Sequence, residues 1–212
     1  MPVLAYMIVA VAAYLLGSIP TGFLVAKAKG IDIRSVGSGN IGATNAMRVL
    51  GKPAGIFVLL ADFAKGFLAV AFLPILIYKI YPTLAVYQSV VAGIFAVLGH
   101  NYTCWLKFKG GKGIATTAGV YLALAPWAVL IALVVFILAV VLTKYVSVGS
   151  IAAAIALPAA VWIMSPQNLF LGIVTTALGA LAIYKHKSNI QRLMAGTENR
   201  LGKKTSTTEV AK

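Results

Sequence analysis

The sequence predicts an all-α, polytopic integral membrane protein of seven transmembrane helices, with its N-terminus outside and its C-terminus cytoplasmic. Three observations carry that expectation. Hydrophobic residues fill 61% of the 212 positions and charged residues only 10%, a balance that a water-facing chain of this length does not sustain. The stretches 3–26, 113–143 and 145–184 contain no charge at all and match or exceed the roughly 20 apolar residues with which a helix crosses the hydrocarbon core. Drawing seven spans then puts sixteen of the eighteen basic residues on one side, which the positive-inside rule assigns to the cytoplasm.

In chain order the spans are expected at 3–26, 53–78, 83–105, 113–124, 127–143, 147–164 and 168–184, with Pro82, Pro126 and Pro166 at three of the turns. Nothing basic precedes Lys27, and the first apolar run is longer than a signal core, so it is read as a span. The fourth, about 12 residues, is short for a crossing. It is kept because without it the seven cations of the tail would lie outside, where only Lys79 otherwise stands, Lys65 being inside a span. A single cysteine, Cys104, excludes an internal disulfide and any zinc site built of several thiolates. Residues 1–192 are expected to form the membrane domain. Residues 193–212 are expected to form a polar basic tail that lies mobile or on anionic headgroups and has no catalytic role.

The net charge of +14 would suggest nucleic acid in a soluble protein, but here the cations sit in loops between spans. Four polar clusters, 36–48, 107–113, 144–150 and 186–192, fall on the cytoplasmic side and are expected to converge. In the first, Gly37, Gly39 and Gly42 spell G-x-G-x-x-G, and Asp62 lies 20 residues beyond. A dinucleotide fold needs those glycines between a strand and a helix, and here apolar spans flank them instead. The same atoms suit an anion. Glycines let backbone N–H groups face one concavity, Ser38, Asn40, Thr44 and Asn45 add side-chain donors, and Arg48 brings a forked cation. In the second, FKGGKG (108–113) opens the fourth span, so Lys109, Lys112 and the amides of Gly110, Gly111 and Gly113 address an anion at a helix N-terminus. It is not a Walker loop, since Leu106 holds the place of the upstream glycine and Gly113 that of Ser or Thr.

Asp62 and Lys65 share a face one turn apart and are read as a buried ion pair. His186, Asn189 and Arg192 likewise fall on one helical face, while His100, closing the third span, is open equally to capping or packing and to chemistry. Four scattered acids and two distant histidines make no metal site, and neither histidine is followed at the fifth position by Asp. A base oriented by a carboxylate is therefore not expected. Neither a metal nor a cofactor is expected, and chemistry falls to cations, amides and hydroxyls.

Together these stretches resemble the bacterial membrane acyl-phosphate:glycerol-3-phosphate acyltransferase family. The likeness is carried by YLLGSIPTG (14–22), VGSGNIGATNAMRVLGK (36–52), GH followed by FKGGKG (99–113), YVS (145–147), and HKSNIQRL with GTEN (186–199). It implies a multi-pass enzyme of the bacterial inner membrane that makes lysophosphatidic acid from glycerol 3-phosphate and a fatty acyl phosphate. By this resemblance Ser38, Arg48, Lys109, Ser147, His186 and Asn189 match positions that handle the two substrates. Ser147 is open to two uses, as a donor or as an acylated nucleophile, and with no base adjacent in sequence the donor is favoured. Membrane lipids are the surroundings and a monomer is expected. One departure stands out: the family pattern is His-x-x-Pro, whereas Thr103 follows His100, Asn101 and Tyr102 here. A phosphorylated-metabolite transporter is the alternative class, and it would place its site at the bilayer midplane between similar halves. A noncatalytic lipid-binding scaffold would explain the basic loops but not two glycine cradles.

Overall fold

The computed structural model describes residues 2–78 and 85–201, and the elements found there are helical. Lys79, Pro82, Lys203, Lys204 and Lys212, used above to place turns and sides, lie outside the described residues. Contacts divide the chain into two compact units, one reaching to Val120 and the other starting at Tyr121.

In the first unit the expected opening span is two helices, α1 (Pro2–Ser18) and α2 (Thr21–Lys27). The break falls at Ile19–Pro20, because Pro20 brings no N–H and pushes the residue before it out of the helical region. A short amphipathic helix not expected from the sequence, α3 (Ala43–Leu50), follows the glycine-rich loop and ends at Gly51, whose φ of 93° favours glycine. Next come α4 (Lys52–Ala71), with Pro53 in its first turn, α5 (Leu73–Tyr78) and α6 (Ala85–Asn101). A 3₁₀ turn at Cys104–Leu106 leads to α7 (Ile114–Leu124), which starts in this unit and ends in the next.

The second unit holds α8 (Pro126–Thr143), α9 (Val146–Met164), α10 (Leu169–Lys185) and α11 (Lys187–Met194). Among the described residues, five stretches are long and apolar enough to cross a membrane: Val3–Lys27, Lys52–Leu76, Tyr87–Leu106, Pro126–Thr143 and Val146–Met164. The α10–α11 pair, bent by 52°, makes a sixth if taken as one, and α7 is a shorter apolar helix. Leu142 and Ile163, each 80% exposed, typify the apolar outer surface, as expected where lipid is the solvent.

Between helices the contacts are made by small residues. Gly17 meets the backbone of Ala96 and Gly99 that of Tyr14, so α1 and α6 touch main chain to main chain. Hydrogen bonds lock the same seam: Tyr14 Oη donates to the Tyr102 carbonyl at 2.7 Å and Thr103 Oγ1 to the Ser18 carbonyl at 2.6 Å. Thr103 thus serves a carbonyl freed by the α1 break, a bond proline has no hydroxyl to make. Its φ of −64° is nonetheless the value a proline would impose, so the departure from His-x-x-Pro leaves the backbone path unchanged in kind.

Candidate active site

The loop before α3 is organised by one side chain. Asn45, 1% exposed in the first turn of α3, accepts the Ser38 amide at 2.9 Å and turns its Nδ2 toward the carbonyls of Asn40 (2.9 Å), Val36 (3.1 Å) and Ile33 (3.3 Å). Asn40 Oδ1 accepts the Gly42 amide at 2.8 Å. This corrects the expectation that Asn45 donates to an anion, since both polar atoms of its side chain hold the loop backbone instead, whereas Asn40 spends only its oxygen there. Gly37 must be glycine twice over, since its φ is 61° and a Cβ would strike Asn45 Oδ1. With the amides of Ser38, Gly39 and Gly42 bonded inside the loop, the donors facing outward are on α3 and beside it. Gly42 supplies no side-chain cap to the first turn of α3, Thr44 and Ser38 are exposed, and Arg48 is half-buried on the same helix.

The second glycine-rich stretch lies against the first. Leu106 packs in one hydrophobic cluster with Ile33, Ile41, Ala46, Ala26 and Val58, so the segment leading to Lys109 and the loop carrying Arg48 share a core. Lys107 and Phe108 are both left-handed, at φ 53° and 59°, a conformation that costs non-glycine residues and collects at functional loops. From there the chain folds inward. The Gly110 amide donates to the Asn101 carbonyl at 3.2 Å and the Gly111 amide to the His100 carbonyl at 3.0 Å. Those two amides are therefore not the anion donors expected of them; Lys109 is exposed, and Lys112, half-buried, stands two residues before α7. Gly113, at φ 82°, makes the final turn into that helix.

Behind this loop lie the buried charges. Lys65 Nζ sits 2.8 Å from Asp62 Oδ1, as the sequence predicts, and also donates to the Ile19 carbonyl at 2.8 Å. Thr21 Oγ1 donates to Asp62 Oδ1 at 3.3 Å, and His100 Nδ1 stands 3.6 Å from the same oxygen. A histidine facing a carboxylate does exist here, contrary to expectation, because the partner comes from another helix and not from a nearby position in sequence.

In the second unit the carboxylate of Glu198 gathers three groups. Its Oε1 accepts Ser147 Oγ at 2.9 Å and Asn189 Nδ2 at 2.7 Å, while Oε2 takes Arg192 Nε at 2.7 Å. Burial pushes this carboxyl up, but the hydrogen bonds from Asn189, Arg192 and Ser147 outweigh it and hold the group below the usual glutamate range. In this cluster the Ser147 hydroxyl donates to the carboxylate. His186, at the bend between α10 and α11, has Nδ1 2.8 Å from the Ala182 carbonyl. A carbonyl only accepts, so that nitrogen carries the proton and Nε2 is the variable edge.

Glu198 was missed by the sequence reading, which set residues beyond 192 apart from the site. The structure corrects this: Gly196 at φ 68° turns the chain back, and the Leu201 amide donates to the Lys144 carbonyl at 2.7 Å. Arg200 Nε reaches Tyr145 Oη at 3.0 Å. The signal of Glu198 in the sequence is its place within GTEN, as one of two acids, with Glu209, in a basic, polar tail.

Comparison with known proteins places these features. The profile of the family described as Glycerol-3-phosphate acyltransferase matches residues 7–196. A protein named glycerol-3-phosphate acyltransferase from Geotalea daltonii is 46% identical over 189 residues, covering 89% of this chain and 94% of its own. One of the same name from Geobacter metallireducens is 51% identical over 188 residues, covering 89% and 93%. The crystal structure of PlsY, an integral membrane glycerol 3-phosphate acyltransferase in its glycerol 3-phosphate form, is similar with a TM-score of 0.84 and 38% identity over 97% of this chain and 98% of that one. Its lysophosphatidic acid form gives 0.80, covering 93% and 95%. An all-helical, multi-pass membrane architecture, a glycine-rich cationic loop pair and a matched length of this extent agree: the chain belongs to the glycerol-3-phosphate acyltransferase family.

Proposed function

We propose that the chain transfers a fatty acyl group from acyl phosphate to the sn-1 hydroxyl of glycerol 3-phosphate, releasing lysophosphatidic acid and inorganic phosphate. The observation that carries this reading is the shared core of Leu106, Ile41 and Ala46, which brings the loops of Arg48 and of Lys109–Lys112 to one face of the protein. Each substrate approaches with roughly two negative charges near neutral pH. Arg48, Lys109 and Lys112 offset them, in surroundings less polar than water.

An acyl phosphate is a mixed anhydride, so its carbonyl needs little activation. The substrate hydroxyl attacks the carbonyl carbon, the new C–O bond forms, and the bond from carbon to the bridging phosphate oxygen breaks. The hydroxyl proton passes to a phosphate oxygen of a substrate. The protein positions the two molecules and stabilises the oxyanion and leaving phosphate, with Lys109 as the principal donor and Ser38, Thr44 and the α3 and α7 first turns around it. Within the second unit, Ser147, His186 and Asn189 are read as donors and not as nucleophile or base. No metal or cofactor enters these steps.

The arrangement in the membrane belongs to the same proposal: seven crossings with α7 as the short one, the N-terminus outside, the basic loops at the cytoplasmic face of a bacterial inner membrane, and a monomer. Leaving the acyl chain in lipid avoids a cost of about 0.8 kcal/mol for each methylene drawn into water. The test is purified protein with acyl phosphate and glycerol 3-phosphate, following phosphate and lysophosphatidic acid together, with ¹⁸O in the bridging position to locate the bond cleaved. Acyl-coenzyme A is expected to fail as donor. Absence of acyl transfer, with movement of glycerol 3-phosphate into liposomes, would overturn the proposal in favour of a transporter.

A further inference from the structure

The buried Asp62–Lys65 pair calls for an explanation beyond holding α4 in place. Ionised groups among membrane helices are costly, and well-packed apolar residues would serve adhesion as well or better. Lys65 is held by Asp62 and the Ile19 carbonyl, both at 2.8 Å. The same Asp62 Oδ1 that meets Lys65 also faces Thr21 Oγ1 and His100 Nδ1, at 3.3 Å and 3.6 Å. The carboxylate therefore aims at an imidazole that is itself buried.

What lies on the other edge of that ring is the glycine-rich loop. A Cβ on Gly111 would collide with His100 Nε2, so the loop backbone rests directly on the imidazole. The main chain of the same α6 end holds the loop again, through Gly111 N to the His100 carbonyl at 3.0 Å and Gly110 N to the Asn101 carbonyl at 3.2 Å. A carboxylate opposite Nδ1 places the ring proton there and fixes which edge meets Gly111. Immediately before these ties the chain runs through left-handed Lys107 and Phe108, so its path needs support from beneath.

We propose that Asp62 and His100 are positioning residues for the loop that carries Lys109 and Lys112, Asp62 orienting the imidazole and the imidazole setting the height and angle of the Gly110–Gly111 backbone. They do not touch substrate. Their effect reaches the reaction through where the two ammonium groups stand, and a displacement of about 1 Å in such groups costs on the order of a hundredfold in rate. This rests on the acyl-transfer reading of the loop.

The test compares full-length wild-type protein with His100→Phe, which keeps a ring under Gly111 but offers Asp62 nothing, and with the uncharged pair variant Asp62→Asn/Lys65→Met. Two readouts are taken: kcat and KM for each phosphorylated substrate, and the concentration of inorganic phosphate that half-protects Lys109 and Lys112 from an amine-reactive label. Expected for His100→Phe are an unchanged thermal midpoint, a fall in kcat/KM of at least tenfold, and a matching rise in the protecting phosphate concentration. Adding the pair variant to His100→Phe should lower kcat/KM by less than a further twofold, because both act through one ring. Wild-type kinetics and protection in His100→Phe would show that the ring only fills space, and multiplicative losses would show independent roles; either overturns the proposal. Should His100→Phe fail to fold, the pair variant decides alone, with wild-type values again overturning it. If wild-type protein lacks acyl transfer yet shows phosphate protection, the functional reading fails while the protection measurements still judge the loop.

Discussion

In the proposed mechanism, Arg48 and Lys109 separate binding from turnover at the level of single side chains. Arg48, on α3, offers a forked, charge-assisted contact, and losing such a bond costs about 1.5–3 kcal/mol, or roughly ten- to hundredfold. Arg48→Ala is thus expected to raise the KM for glycerol 3-phosphate by that factor with kcat less affected, read from initial rates at saturating acyl phosphate. Lys109→Ala removes the principal oxyanion donor and should lower kcat about 10²–10³-fold while the protein remains folded by thermal shift. Glu198 gives a prediction in pH. Its native pKa lies below that of the unfolded chain, so the stability it contributes is complete above the unfolded glutamate's titration and is lost as pH falls through the lowered native value. Glu198→Gln should flatten that acid limb of the thermal midpoint and release Ser147 and Asn189. An acid limb identical to wild type would mean the carboxylate does not hold the cluster.

Among the elements, the seam between α1 and α6 is where sequence and backbone are most tightly coupled. Thr103→Pro fits the observed φ of −64° but strips the Ser18 carbonyl of its donor. It is expected to fold and act normally at a loss of about 1–3 kcal/mol, seen as a lower melting temperature. The helices themselves were legible from uncharged runs, since lipid exposure leaves little ambiguity in hydropathy. Less was legible within them. Pro20 sits in an apolar run that reads as one span, so the break between α1 and α2 emerges only with the backbone. Helix α3 hides in a segment whose glycines and asparagines signal a loop. The amides of Gly110 and Gly111 looked available because spacing shows which groups are near one another in sequence, not which carbonyls lie beneath them. For the same reason His100 and Asp62, 38 residues apart, could not be paired by inspection.

On the scale of the entire protein, composition points to the class and the resemblance to the reaction, while topology is a matter for labelling. With Cys104 replaced by Ser, single cysteines at positions 29, 107 and 187 should react with an impermeant thiol reagent from the cytoplasmic face, and one at position 167 from the opposite face. Reaction of 29 and 107 from different faces would contradict the shared core of Leu106 and Ala46 as well as the orientation. The four polar clusters expected from sequence reduce to two constructions, each complete in its own unit: loops 36–48 and 107–113 joined by Leu106, and Ser147 joined to Asn189 and Arg192 by Glu198. The second was only half visible, because its organiser lies past the last helix.

That return of the chain after Gly196 has a bearing on biogenesis. The described helices and both hydroxyl- and amide-bearing partners of Glu198 are synthesised before the carboxylate that joins them, so a nascent polypeptide that has inserted those helices still lacks this cluster until the stretch beyond Gly196 has been made. A chain stopped after Met194 should insert normally and be silent, whereas one stopped after Leu201 should be active.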